Sequence, residues 1–199
     1  MESIDLRIKK TMKVIYEAFI ECCKQKTFSS ITVSDICEAA MINRSTFYNH
    51  YSDKFDLRAR ITQDALCYFY DHMDLSCFQI EHSKLNLLKS PLKKELANIY
   101  KKKETYIQLW HPNLESNIYE QMTMLIEQKM RDHTEQFFYK DKKSGKFQGA
   151  YELFARLFAA DAMTVIKWWF QVSPQICSEQ VADIIISNIK DGMYRSFIG

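Results

Sequence analysis

Between Ile31 and Leu57 the chain reads ITVSDICEAAMINRSTFYNHYSDKFDL: two short helical patterns on either side of a three-residue connection, a polar and aromatic segment, then another helix start. Such a tight connection between two helices is how a helix-turn-helix presents its second helix, and these residues suit one. In the first pattern, Thr32 or Ser34 suits the cap of a helix whose buried face carries Ile36, Ala39 and Ala40 at i, i+3, i+4 spacing. The two alanines are small enough to let a second helix come close. Met41-Ile42-Asn43 forms the connection, and Asn43 suits the cap of the helix that follows.

On that second helix, at about 100° per residue, Phe47 and Tyr51 fall on one face, suited to a core. Ser45, Thr46 and Asn49 fall roughly opposite, with Tyr48 and His50 on the flanks and Arg44 at the N-terminal end. Short polar side chains on a helix anchored by aromatics can reach phosphates and base edges in a major groove about 12 Å wide. The spacing further predicts that Ser52-Asp53 caps a third helix whose first turn offers Lys54 to a phosphate. Taken alone, the pattern also fits a solvated helix in an ordinary bundle.

The arrangement Thr32-x-x-x-Ile36, Ala39-Ala40, Ile42, Ser45-Thr46-Phe47-Tyr48, Tyr51 and Lys54 resembles the signature of the TetR family of transcriptional regulators over about 25 positions. The resemblance implies an all-α fold: residues 1–58 as a three-helix DNA-binding domain with its helix-turn-helix, and residues 59–199 as a helical-bundle domain for ligand binding and dimerisation. It implies a homodimer on a double-stranded DNA operator, most often a repressor, controlled by a small-molecule effector. DNA contacts are expected from Thr32, Arg44, Ser45, Thr46, Tyr48, Asn49, His50 and Lys54. One position departs from the family: its turn commonly carries glycine, and this chain has Met41, so a strained turn is expected.

Composition agrees with helices. Four Gly and three Pro in 199 residues leave little punctuation for hairpins, and 47% hydrophobic residues suffice for a sizeable core. The net charge of +2 lies wholly in residues 1–60, which hold ten Lys/Arg against eight Asp/Glu. Arg7, Lys9, Lys10 and Lys13 form a local basic cluster that can lie against phosphates or simply face solvent. Cys22, Cys23, Cys37, Cys67, Cys77 and Cys177 form no C-x-x-C pair, and no basic-then-apolar leader opens the chain, so a cytoplasmic protein with reduced thiols is expected. Cys67, His72 and Cys77 share one helical stretch without converging on one face, so no metal site is expected. Redox sensing at Cys22-Cys23 or Cys37 competes with buried thiols acting as small hydrophobes, which is the default. No span long and apolar enough for a membrane occurs, no cofactor is implied, and no nucleophile–base, paired-carboxylate or phosphate-loop constellation suggests an enzyme.

Along the chain, residues 5–25 read as a first helix and Asp53 to about Cys77 as a long one, stiff enough to act as a lever between the two domains. Ser90-Pro91 is read as punctuation before a helix from Leu92, and Pro112 as the end of the helix before it. A helix over 114–139, a hydrophilic loop at 140–146, and two apolar helices at about 147–172 and from Ser178 complete the reading. The last two carry more apolar width than one intramolecular partner needs, with Ala159, Ala160 and Ala162 permitting close approach, which predicts dimerisation through both. The segment FAADAMTVIKWWFQVSPQICSEQVADII is similar to a TetR subgroup that includes a dihydroxyacetone-kinase operon activator. Tyr106, Trp110, Met122, Met124, Phe158, Met163 and Trp168 are the candidate effector lining, against a plain-core alternative. A rival from another class is an adaptor whose helical domain binds a protein partner instead of a small ligand.

Overall fold

The computed structural model describes residues 2–73, 75, 89–140, 150–172 and 175–189. Among these the regular structure is entirely helical: α1 Glu2–Gln25, α2 Val33–Ala39, α3 Arg44–Tyr48, α4 Lys54–Asp71, α5 Lys89–Tyr100, α6 Lys103–Leu109, α7 Ile118–Lys140, α8 Ala150–Val172 and α9 Ser178–Ser187, with 3-10 turns at Phe28–Ser30 and Pro112–Leu114. The all-α reading of a glycine- and proline-poor chain holds.

Several boundaries differ from the sequence reading, each for a local reason. Pro91 lies inside the first turn of α5, where the amide it lacks would have had no helical partner. Pro112 does end the preceding helix, and it opens a 3-10 turn. The helix cap before α9 is Cys177, not Ser178; its amide donates to Gln180 Oε1 at 2.9 Å. The long helix stops at Asp71, so at 1.5 Å per residue α4 spans about 27 Å. Of the polar connection the sequence suggests over 78–91, residues 78–88 lie outside the described residues, as do 141–146 of the 140–146 loop, Ser173-Pro174 as a helix stop, and Gly192 and Met193 on the apolar stripe of the last helix.

The chain divides into two compact units. Unit 1 is Met1–Ala65 with Gln108–Ile118, and unit 2 is Leu66–Ile107 with Tyr119–Gly199. A single cut after residue 58 was the expectation; instead α4 stays with unit 1 to Ala65, and a stretch far along the chain returns to it. That stretch is anchored by Leu109 and Leu114, both almost wholly buried. In unit 1 the core is built around Phe19, Phe28, Ile31, Ile36, Phe47 and Leu57.

In unit 2, α9 packs on α5 and α8. Ile99, Phe158, Ile166, Trp169, Val181 and Ile185 fill its interior. Trp169 stacks on Tyr100 at 4.5 Å between ring centroids, and its indole N–H donates to Ile176 O at 2.7 Å, so a large aromatic is buried with its polar atom satisfied. Lys89 reaches both Glu179 and Asp183, and Lys93 reaches Glu179, across the exposed edge of α5 and α9.

Candidate nucleic-acid interface

The first helix of the motif, α2, opens on a reciprocal cap. Thr32 Oγ1 accepts from the Asp35 amide at 3.1 Å, and the Asp35 carboxylate accepts from the Thr32 amide at 2.7 Å. The Thr32 amide first, then the Thr32 hydroxyl and Lys26 at 3.0 Å, hold the Asp35 carboxyl down at about 2. The Thr32 hydroxyl also donates to Asp35 at 2.8 Å, so its first role is structural. The buried face of α2 is Ile36, Cys37 and Ala40; Ala39, expected inside, is exposed.

The end of α2 is a Schellman turn. Ile42 N–H donates to Cys37 O at 3.0 Å and Met41 N–H to Glu38 O at 3.1 Å. That geometry needs a left-handed residue between them, and Met41 takes φ 53° with its side chain 93% exposed. A side chain bearing Cβ pays about 1–2 kcal/mol there. Met41→Gly is therefore expected to raise stability by about 1 kcal/mol, read as a higher urea midpoint at unchanged slope; an unchanged or lower midpoint refutes the strain.

The second helix, α3, is only five residues long, followed by Asn49 in a still-helical conformation with its amide on Ser45 O at 3.0 Å. Asn43 occupies the cap position with extended backbone but makes no side-chain cap bond. Phe47 and Tyr51 are buried as expected, their rings 5.7 Å apart. On the other side Arg44, Ser45, Tyr48 and Asn49 are exposed, while Thr46 and His50 are half-buried. Tyr48 stands edge-on to Phe47 at 5.5 Å, which braces it while leaving half its surface in solvent.

The start of α4 is capped as read: Asp53 Oδ1 accepts from the Asp56 amide at 2.8 Å, and Asp56 accepts from the Ser52 amide at 3.0 Å. Lys54 departs from its expected role. Its ammonium donates to three carbonyls, Phe28 at 2.9 Å, Ser29 at 3.0 Å and Ile31 at 2.7 Å. An ammonium has three donors, so this lysine is a clamp on the α1–α2 connection and has none left for a phosphate in this geometry. Arg58, which sequence reasoning missed, lies over the Phe28 ring at 3.8 Å and donates to Leu114 O and Glu115 O. No local sequence pattern announces a contact across 57 residues.

The remaining expectations scatter. Arg7, Lys9, Lys10 and Lys13 are exposed along α1. Burial pushes the Cys23 thiol up to about 12 and raises Cys22 and Cys37, which favours the inert small-hydrophobe role over redox chemistry. Tyr106, Met122, Phe158 and Met163 are fully buried core. Trp110 belongs to unit 1, whereas Met124 is 64% and Trp168 39% exposed. A stripe read off sequence cannot distinguish the inner from the outer face of a helix, and the seven candidate effector residues accordingly range from fully buried to largely exposed.

Comparison with known proteins agrees with the motif. Residues 15–61 match the family described as "Bacterial regulatory proteins, tetR family". The chain is similar to the uncharacterised HTH-type transcriptional regulator YxbF of Bacillus subtilis (31% identity over 83 residues) and to DhaS, the HTH-type dhaKLM operon transcriptional activator of Lactococcus lactis (34% over 67 residues). These matches cover 41% and 32% of this chain and only 22% and 36% of the relatives' own lengths. In fold it is similar to a TetR transcriptional regulator from Streptococcus agalactiae, with a TM-score of 0.56 and 17% identity over 94% of this chain and 98% of that one.

Proposed function

We infer, from the match of residues 15–61 to the tetR family of bacterial regulatory proteins, that this chain is a transcriptional regulator that reads a specific DNA sequence as a homodimer. The observation that carries the reading is the exposed polar face of α3, held rigid by Phe47 and Tyr51 beneath it. Arg44, Ser45 and Asn49 are assigned to base edges, and Thr46, Tyr48 and the flanking His50 to the sugar-phosphate backbone. Lys54 supports the head from behind.

The test starts with duplexes selected from a random-sequence pool by the wild-type protein. Arg44→Ala and Asn49→Ala should each weaken the selected duplex by about 1–3 kcal/mol and alter base preference, whereas Tyr48→Phe should weaken all duplexes alike. If Asn49→Ala lowers specific and nonspecific binding in the same ratio, the base-reading assignment is wrong.

The dimer surface is supported by α8. Leu153, Leu157, Ala160, Thr164, Trp168 and Val172 recur at helical intervals and are all exposed. On the last helix, expected from sequence at the interface, Ile185 of α9 and Ile189 just past its end are 1% and 2% exposed and belong to the intramolecular core. The surplus apolar face is thus on α8, with the half-buried Ile184 of α9 beside the Asp161–Asn188 hydrogen bond that ties the two helices. Exposed leucines and a tryptophan in one row suit a second copy of the same helix.

Effector control belongs to the same proposal through likeness to the family, with the continuous helix α4 as the stiff element between head and bundle. The sense of regulation is left at transcriptional control: repression is the commoner outcome in such families, and DhaS is named an activator.

A further inference from the structure

The 3-10 turn Pro112–Leu114 and the residue after it stand between α6 and α7, within the stretch Gln108–Ile118 that belongs to unit 1 although residues of unit 2 precede and follow it along the chain. Their attachment is polar and specific. Glu115 accepts from the Ser29 amide at 3.2 Å through one carboxylate oxygen and from the Ser29 hydroxyl at 2.8 Å through the other. Arg58 returns the contact by donating to Leu114 O at 3.2 Å and Glu115 O at 2.9 Å. Asn113 Nδ2 donates to Cys23 O at 3.1 Å near the end of α1. Glu115 holds φ 51°, a left-handed conformation that costs a non-glycine residue about 1–2 kcal/mol and persists only where surrounding bonds over-determine it.

Both halves of this attachment meet on one element. The Phe28–Ser30 turn, whose carbonyls Lys54 clamps and whose aromatic ring Arg58 covers, is the turn whose Ser29 amide Glu115 caps. It is also the connection from α1 into α2, and so it sets where the helix-turn-helix begins. A change at residues 112–115 would therefore be felt at the base of the reading head with no contact to DNA.

We propose that residues 112–115 are a latch for the DNA-reading head, in which Glu115 and Arg58 act as positioning residues, so that the head is assembled from two separate stretches of the chain and can be loosened from the second. Its consequence for DNA rests on the function proposed above; the latch itself does not.

The experiment uses the full chain and two readouts. The first is amide hydrogen exchange at Ser29 and its neighbours in wild type, Glu115→Ala, Glu115→Gly and Arg58→Ala. Glu115→Gly relieves the backbone strain while removing the carboxylate, so it stays informative if the alanine variant folds poorly. Exchange at Ser29 should quicken at least about ten-fold in the Glu115 variants, and Glu115→Gln, which keeps one acceptor, should fall between. The second readout is affinity for the duplex selected by wild type, expected to fall about ten-fold with unchanged base preference, the mark of a loosened head and not of a lost base contact. Ser29→Ala combined with Glu115→Gly should do little more damage than Glu115→Gly alone. Unchanged Ser29 exchange overturns the latch, as does quickened exchange with unaltered DNA affinity. Failure of the wild type to select any duplex would instead overturn the DNA-reading function, leaving the latch to be judged by exchange and coupling.

Discussion

Replacing Leu157 and Trp168 together with Asp is expected to turn the protein into monomers that keep their helical content and their thermal transition. Both side chains lie on the outward row of α8, 40% and 39% exposed, so a carboxylate at either place remains solvated in the isolated chain. Between two copies of α8 the same carboxylates would be desolvated and unpaired, which apolar contact cannot offset. A dimer gains its hold on a two-part operator by making the second contact intramolecular, so its loss should lower affinity for a selected palindromic duplex by about 10²–10⁴-fold. Ile185→Asp is the instructive contrast. At 1% exposure it drives a charge into the core of unit 2, and it should unfold that unit instead of splitting the dimer. Light scattering that still finds a dimer in the Leu157/Trp168 variant places the interface elsewhere.

Lys54→Ala should lower stability by about 2–3 kcal/mol while leaving the salt dependence of DNA binding unchanged. Three backbone carbonyls lose a charged donor at once, two of them in part-buried bonds, and the α1–α2 connection loses its tie to α4. The alternative, a phosphate contact, makes the opposite forecast: little change in folding and a fall of about one in the salt slope. Arg44→Ala serves as the reference, because Arg44 is exposed on α3 and its truncation should change stability by less than about 0.5 kcal/mol. Urea denaturation beside a salt titration on duplex DNA separates the two roles of Lys54.

The reading motif was legible because its determinants are close together in sequence. Phe47 and Tyr51 are one helical turn apart, Thr32 and Asp35 are the two ends of one cap, and the departure at Met41 announces its own strain in the left-handed φ it adopts. The roles of Lys54, Arg58 and Glu115 were not, since their partners lie 23 to 86 residues away. Lys54 shows the limit plainly: a lysine on the first turn of α4 has the same local sequence whether its ammonium meets a phosphate or three carbonyls. The α8 and α9 faces show another. Hydrophobic spacing marked both helices as buried on a broad stripe, but Ile185 faces inward and Leu157 outward.

By itself, then, the sequence determined what local periodicity and local hydrogen bonding can determine: an all-helical chain, a helix-turn-helix at residues 32–51, and the polar side chains that α3 turns outward. Those properties depend on residues within one or two helical turns of each other, and any packing of the helices preserves them. The tertiary structure alone decided which apolar stripe goes into the core and which stays exposed, and that residues 108–118 belong with the N-terminal unit. Burial is a property of the neighbours a side chain meets after the chain has folded back on itself, so it is written in contacts between distant segments and not in the spacing along any one of them.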